Sequence, residues 1–243
     1  MGKTMNVQGK NAIREVLKGN RKIETIIISE SISDNEIKGL AKSRRIPVQI
    51  MPKRQFISTY GEKSGGMVAV VEDYQYVELH ELIYKNADKE ESILLILDGL
   101  EDPHNLGAIL RSVDATGCDG VIIPKNRSVR LNDTVAKVST GAIEHVDVSM
   151  VTNLNQTIQE LKDSGYWVIG LELTGKIYYN EADYRGKIAI VVGSEGKGIS
   201  PLVQKNCDLL VKIPMFGKVN SLNASVSTAL VLYEAIRHRG INE

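Results

Sequence analysis

The spacing of apolar runs in the second half of the chain most constrains its fold. ILLIL (93–97), GVIIP (120–124), HVDVSM (145–150), YWVIGLEL (166–173), IAIVV (188–192) and LLVKI (209–213) follow one another along the sequence, each parted from the next by a helical pattern or a long loop. Near-continuous apolar strands joined by crossovers describe a mainly parallel sheet covered on both faces.

The front of the chain reads differently. Residues 11–18 (NAIREVLK) place Ala12, Ile13, Val16 and Leu17 on one helical face, and IETIII (23–28) follows as a strand. Ser33 to Glu36 has capping-box spacing and opens a helix through Ile37, Leu40 and Ala41, after which IPVQI (46–50) and MVAVV (67–71) are further strands with a short helix from Pro52 between them. This is a small α/β module. The polar stretch from Glu72 to Glu91, with a helical pattern around Leu79, Leu82 and Ile83, divides the chain into residues 1–75, a linker at 76–91, and a second domain at 92–243.

Lys plus Arg equal Asp plus Glu at 30 each, but the balance is uneven. Residues 1–75 hold 13 basic against 8 acidic side chains, a net of +5, which leaves 17 against 22 and a net of −5 for the rest. The front module is therefore the basic end of the chain. Cys118 and Cys207 lack any metal-ligand spacing, so they are expected to be inert thiols in a reducing compartment, with no metal. No apolar core suits a signal peptide and no run approaches a membrane span, so the expectation is a cytoplasmic protein with no membrane partner.

Open α/β sheets bind ligands beyond the carboxyl ends of their strands, and three loops there hold polar chemistry. In DGLEDPHNLGAILRSVDATG (98–117), Leu106, Ile109, Leu110 and Val113 form the buried set, and Arg111 at its edge is either a solvated helix residue or a guanidinium aimed at an anion. GSEGKGIS (193–200) has the Walker spacing but places Ile199 where lysine is required, and it reverses the dinucleotide glycine order, so it is not a standard phosphate loop. In the third stretch, 213–237, Ser221 and Asn223 stand before a long apolar helix as either caps or catalysts.

Taken in order, N-x-G-x-x-x-R (105–111), V-G-S-E-G-x-G (192–198) and I-P-M-x-G-x-V-x-S-L-N-x-S-x-S (213–227) closely resemble the three motifs of the SpoU/TrmH family of RNA 2′-O-ribose methyltransferases, in the SPOUT superfamily. Residues 1–75 resemble the RNA-binding module, related to a ribosomal RNA-binding protein, that precedes the catalytic domain in ribosomal-RNA members. One departure is Ser64-Gly65-Gly66, where those members usually carry His-Gln-Gly.

The resemblance implies a C-terminal trefoil knot, a homodimer, an RNA partner and S-adenosylmethionine as cofactor. It places the cofactor at Thr174, Gly175, Gly193, Ser194, Glu195, Gly196, Ile213, Met215, Ser221, Leu222 and Asn223. It makes Arg111 either the base acting on the ribose 2′-hydroxyl or a clamp on the neighbouring phosphate that stabilises the developing alkoxide. Asn105, Glu195, Ser221 and Asn223 would orient the reactants, with Glu195 the carboxylate partner of Arg111 in one subunit or across a dimer. The front module favours a guanosine of 23S rRNA as acceptor; the alternatives are a tRNA acceptor and a knotted RNA-binding protein without turnover.

Overall fold

Strand β1 (Thr4–Gln8) leads into α1 (Lys10–Lys18), β2 (Ile23–Ser29), α2 (Asn35–Ser43), β3 (Val48–Met51), α3 (Lys53–Tyr60) and β4 (Met67–Glu72). After α4 (Leu79–Lys85) come β5 (Ser92–Asp98), α5 (Pro103–Thr116), β6 (Gly120–Pro124), α6 (Asp133–Ser139), β7 (Val148–Val151), α7 (Leu154–Asp163) and β8 (Trp167–Leu171). The chain then runs through β9 (Ile177–Tyr178), β10 (Lys187–Gly193), α8 (Pro201–Asn206), β11 (Leu209–Lys212) and α9 (Ala224–Arg239). The computed structural model describes residues 4–240 and divides into two units, one of residues up to Gln75 with Leu131–His145, the other of Tyr76–Arg130 with residues from Val146 onward.

The first unit has a four-stranded sheet in the order β1-β4-β2-β3, with β4 antiparallel to both neighbours and β2 parallel to β3. Helix α1 buries Ala12, Ile13, Val16 and Leu17, the face its spacing predicts. Helix α2 corrects the sequence reading at its start: the cap is Asp34, whose Oδ1 accepts from the Ile37 amide at 3.1 Å, and not Ser33. Glu36 makes no reciprocal cap because Arg14 and Lys10 engage its carboxylate. In the Ser64–Gly66 turn both glycines have positive φ, and a Cβ on Gly66 would lie 2.5 Å from Ile32 Cγ1. Glycine is thus required there by conformation and by space.

Residues 131–145 fall within the stretch that the sequence assigns to the second domain, yet they pack with the first unit. The Asn6 amide donates to Asp133 Oδ1 at 3.0 Å, His145 Nε2 lies 3.1 Å from Glu15 Oε2, and Arg21 Nη1 donates to Glu144 Oε1 at 2.5 Å. The Glu144 side chain is 2% exposed, and burial pushes its carboxyl above the ordinary range against the opposing pull of Arg21.

The second unit carries a sheet in the order β7-β6-β5-β10-β8-β11-β9, in which every pair is parallel. One face packs Leu94, Ile96, Ala189 and Val191 against Ile158, Leu161 and Val203 of α7 and α8, while α5 packs against α9. No helix among the described residues is long and apolar enough to cross a membrane. Because all strands point the same way, Asp98, Pro124, Leu171, Gly193 and Lys212 end on one edge, where the three polar loops begin.

Removing the Arg21 side chain leaves Glu144 buried without its counter-charge, so Arg21→Ala should lower unfolding stability by about 2–3 kcal/mol, seen as a lower urea midpoint. Arg21→Ala with Glu144→Ala together should recover part of that loss. Burial pushes both cysteine thiols up to about 12, so at pH 8 neither should react with a thiol reagent until the protein is unfolded.

Candidate active site

The turn after β10 is shaped by backbone contact. A Cβ on Gly193 would lie 2.0 Å from the carbonyl carbon of Gly198, so only glycine lets the two sides of the turn approach. The Gly198 amide donates to the Ser194 carbonyl at 2.9 Å and closes the loop, which leaves Glu195 near its tip. Glu172, just after β8, braces this turn from behind. Its Oε2 accepts from the Ile199 amide at 3.0 Å and from Gln204 Nε2 at 3.1 Å, and its Oε1 from the Leu173 amide at 2.9 Å. On the other side Asp98 Oδ2 accepts from the Ser200 amide at 2.7 Å.

Two helix starts converge on Glu195. Asp102 caps α5 through the His104 amide at 2.8 Å, with Pro103 at the first helical position, and this sets Asn105 in the first turn, only 6% exposed. Asn223 caps α9, its Oδ1 accepting from the Ser225 amide at 2.9 Å, which frees its amide nitrogen for other work. Glu195 Oε1 accepts from Asn105 Nδ2 at 3.0 Å, from Asn223 Nδ2 at 2.6 Å and from the Ala224 amide at 3.3 Å. Asn223 Nδ2 also lies 2.9 Å from Asn105 Oδ1. The three motifs of the sequence thus meet in one hydrogen-bonded cluster.

Beside this cluster lies a cleft of about 210 Å³. Of the residues expected to hold the cofactor, Ser194, Glu195, Gly196, Ile213, Met215, Ser221 and Leu222 line it. Thr174, Gly175, Gly193 and Asn223 do not stand in its lining; Leu171, Glu172 and Leu173 do. Gly175 is instead packed on the backbone of β11, where a Cβ would meet the Val211 carbonyl carbon at 2.4 Å. Exposed Ser221 leaves the capping to Asn223. The walls combine apolar Leu171, Val192, Ile213 and Leu222 with loop amides and carbonyls, a chemistry that fits an adenosyl group with its polar ring edges. Among the described residues no group of three or more His, Cys, Asp or Glu side chains is placed to hold a metal ion.

Arg111 stands apart. It is exposed and has no carboxylate partner among the described residues, so the expected pair with Glu195 is not formed within the chain. The reason is helical geometry: six residues beyond Asn105 is about 240° around the axis, away from the face that carries Asn105 to Glu195. Glu172 escaped the sequence reading, although a lone acid at the carboxyl end of an apolar strand was a usable signal.

Asn223→Asp should be more destabilising than Asn223→Ser, although Asp and Ser cap equally well in isolation. The new carboxylate would stand where an amide now donates to Glu195 at 2.6 Å. The deficit should appear as a lower urea midpoint at neutral pH.

Residues 92–233 match the SpoU rRNA Methylase family, and residues 7–77 match the RNA 2′-O ribose methyltransferase substrate-binding family. A Staphylococcus aureus (strain MSSA476) protein named "Putative TrmH family tRNA/rRNA methyltransferase" is 49% identical over 237 residues, 96% of each chain. Among solved structures, the SpoU methyltransferase AviRb from Streptomyces viridochromogenes aligns with a TM-score of 0.84 at 23% identity, over 97% of this chain and 90% of that one. Its complex with the cofactor AdoMet aligns at 0.83 and 22% over the same shares, which demonstrates a shared fold. An RNA 2′-O ribose methyltransferase aligns at 0.81 and 25%, over 98% of this chain and 90% of that one. With a family match across more than half of its length, a relative sharing nearly half of its residues and the three motifs gathered at one edge of the sheet, this chain belongs to the SpoU/TrmH family of RNA 2′-O-ribose methyltransferases.

Proposed function

We propose that this protein transfers the methyl group of S-adenosylmethionine to the 2′-hydroxyl of a guanosine in 23S rRNA, acting in the cytoplasm as a homodimer. The observation that carries the reading is the cluster of Asn105, Glu195 and Asn223 at the rim of a cleft lined by Ser194, Gly196, Ile213, Met215 and Leu222. The ribosomal acceptor is supported by the substrate-binding match over residues 7–77 and by the net basic charge of residues 1–75.

The bound cofactor supplies a methyl group already activated by its positive sulfur, so the chain's task is to place the 2′-oxygen in line and manage its proton. Leu171, Ile213 and Leu222 would hold the adenosyl group, and the amides and carbonyls of the 194–198 and 213–222 loops would hydrogen-bond its polar edges. Transfer would form the C–O bond as the sulfur–carbon bond breaks, the spent donor leaving as a neutral thioether and the 2′-hydroxyl proton passing to solvent water. Arg111, with five N–H donors in a planar fork, clamps the phosphate next to the reacting ribose and stabilises the negative charge growing on that oxygen.

For Arg111 to act, it must come from a second copy. The α9 face supports that arrangement: Val226, Leu230 and Tyr233 are 47%, 38% and 55% exposed and recur at helical spacing, beside Ala108 and Ser112 of α5. Packing that face against itself would carry Arg111 of each subunit towards the Glu195 cluster of the other. The same reading includes the C-terminal trefoil knot that the family resemblance implies.

Labelled methyl from S-adenosylmethionine should enter purified 23S rRNA, with 16S rRNA and tRNA unlabelled and the modified ribose mapping to a guanosine. Incorporation into tRNA alone would sink the ribosomal reading, and none into any RNA would sink the enzyme. Arg111→Ala should lower the methylation rate by about 100-fold or more while S-adenosylhomocysteine binding stays within about twofold. Arg111→Lys should recover only part of that rate, because it keeps the charge and loses the fork.

A further inference from the structure

A second cavity of about 490 Å³ opens on the opposite side of the 194–198 turn from the cofactor cleft. The two share Ser194, Glu195, Lys197 and Gly198 as a common wall. Sheet order explains the pairing. β10 lies between β5 and β8, so its turn separates the space beyond β5 and β6 from the space beyond β8 and β11. Asn105 also lines this second cavity, which brings it up to the Asn105–Glu195 hydrogen bond.

The far wall is the loop after β6, and it is held firmly. The Lys125 amide donates to the Val151 carbonyl at 2.7 Å, and the Val129 amide to the Leu100 carbonyl at 2.7 Å. Between those two ties Arg127 adopts φ of 56°, a left-handed conformation unusual for a side chain other than glycine, asparagine or aspartate. Strain of this kind persists only where surrounding contacts impose it, and it concentrates at functional sites.

The lining charges are ordered. Asp98 and Asp102 accept from the Ser200 and His104 amides, and Glu195 from the asparagine cluster. Exposed Arg127 and Lys197 have no carboxylate partner among the described residues, and exposed Glu101 has no cation. Formally the lining carries four carboxylates, Asp98, Glu101, Asp102 and Glu195, against Arg127 and Lys197, so it is the two cations without a carboxylate partner, and not the cavity as a whole, that a phosphate can pair with, while Glu101 can accept N–H groups of a base.

We infer that this cavity receives the RNA nucleotide to be methylated, with Arg127 and Lys197 gripping its phosphate and Glu101 accepting hydrogen bonds from its base. The inference rests on the methyltransferase reading and deepens it. It divides the labour at the β10 turn: donor on the β8 side, acceptor on the β5 side, and Glu195 between them.

The test uses the full-length protein and an RNA that the wild type methylates. Glycine is at ease at φ of 56°, so Arg127→Gly removes the guanidinium without straining the fold. It should raise KM for RNA about tenfold and make log KM less dependent on log salt by about one unit, while S-adenosylhomocysteine affinity is unchanged. Arg127→Lys should restore most of the salt dependence. Glu101→Gln should raise KM for the same RNA without altering its salt dependence. An Arg127→Gly enzyme with wild-type KM and salt dependence would overturn the inference alone; a wild-type protein that methylates no RNA would overturn the underlying reading as well.

Discussion

Glu195 Oε1 accepts hydrogen bonds from Asn105, from Asn223 and from the Ala224 amide, and through them one carboxylate oxygen ties the turn after β10 to the first turns of α5 and α9. Everything around the site serves that meeting. The carboxylate reaches it because Gly193 and Gly198 let the turn close on itself, and because Glu172 and Asp98 hold its return limb through the Ile199 and Ser200 amides. The asparagines reach it because each sits at a helix start fixed by a side-chain cap. Asn223 does both jobs at once, capping α9 with its oxygen and bonding Glu195 with its nitrogen.

The sheet makes the meeting possible at a larger scale. A purely parallel sheet sends every strand-end loop to the same edge, and the order β6-β5-β10-β8-β11 puts the β10 turn in the middle of that edge. A strand order that moved β10 to the rim would leave its turn with one neighbouring cavity instead of two. Strands buried on both faces also explain why their sequences are so apolar: Leu94, Leu95 and Ile96 of β5 are all fully buried although their side chains alternate in direction.

That apolarity is why the central strands were legible in the sequence while β1 and β9 were not. Strand β1 is polar at alternate positions and short, and β9 has two residues, too few for any periodic signal. Local rules also misled where tertiary contacts outbid them: the capping-box spacing at Ser33 was real, but Arg14 and Lys10 claimed Glu36 and Asp34 took the cap. Long-range partners leave no mark in local spacing, and so the packing of Leu131–His145 with the first unit was invisible. At the site, motif order singled out Asn105, Glu195 and Asn223, and the fold brings the three into one hydrogen-bonded cluster. It could not say that Arg111 points elsewhere, since a motif gives residue types and their spacing but not the helical face each occupies.

The charge of the cofactor cleft bears on turnover. The cofactor cleft is lined by Glu172 and Glu195 against one lysine, Lys197, so its formal lining charge favours a cation, and under the proposed reaction the incoming donor carries a positive sulfur that the departing product has lost. The electrostatic preference for donor over spent product is therefore built into the walls. Neutral amides from Asn105 and Asn223 satisfy Glu195 without cancelling its charge, whereas an in-chain pair with Arg111 would have cancelled it. Arg111 is exposed and makes no in-chain pair with Glu195, so within the chain the cleft keeps its negative lining.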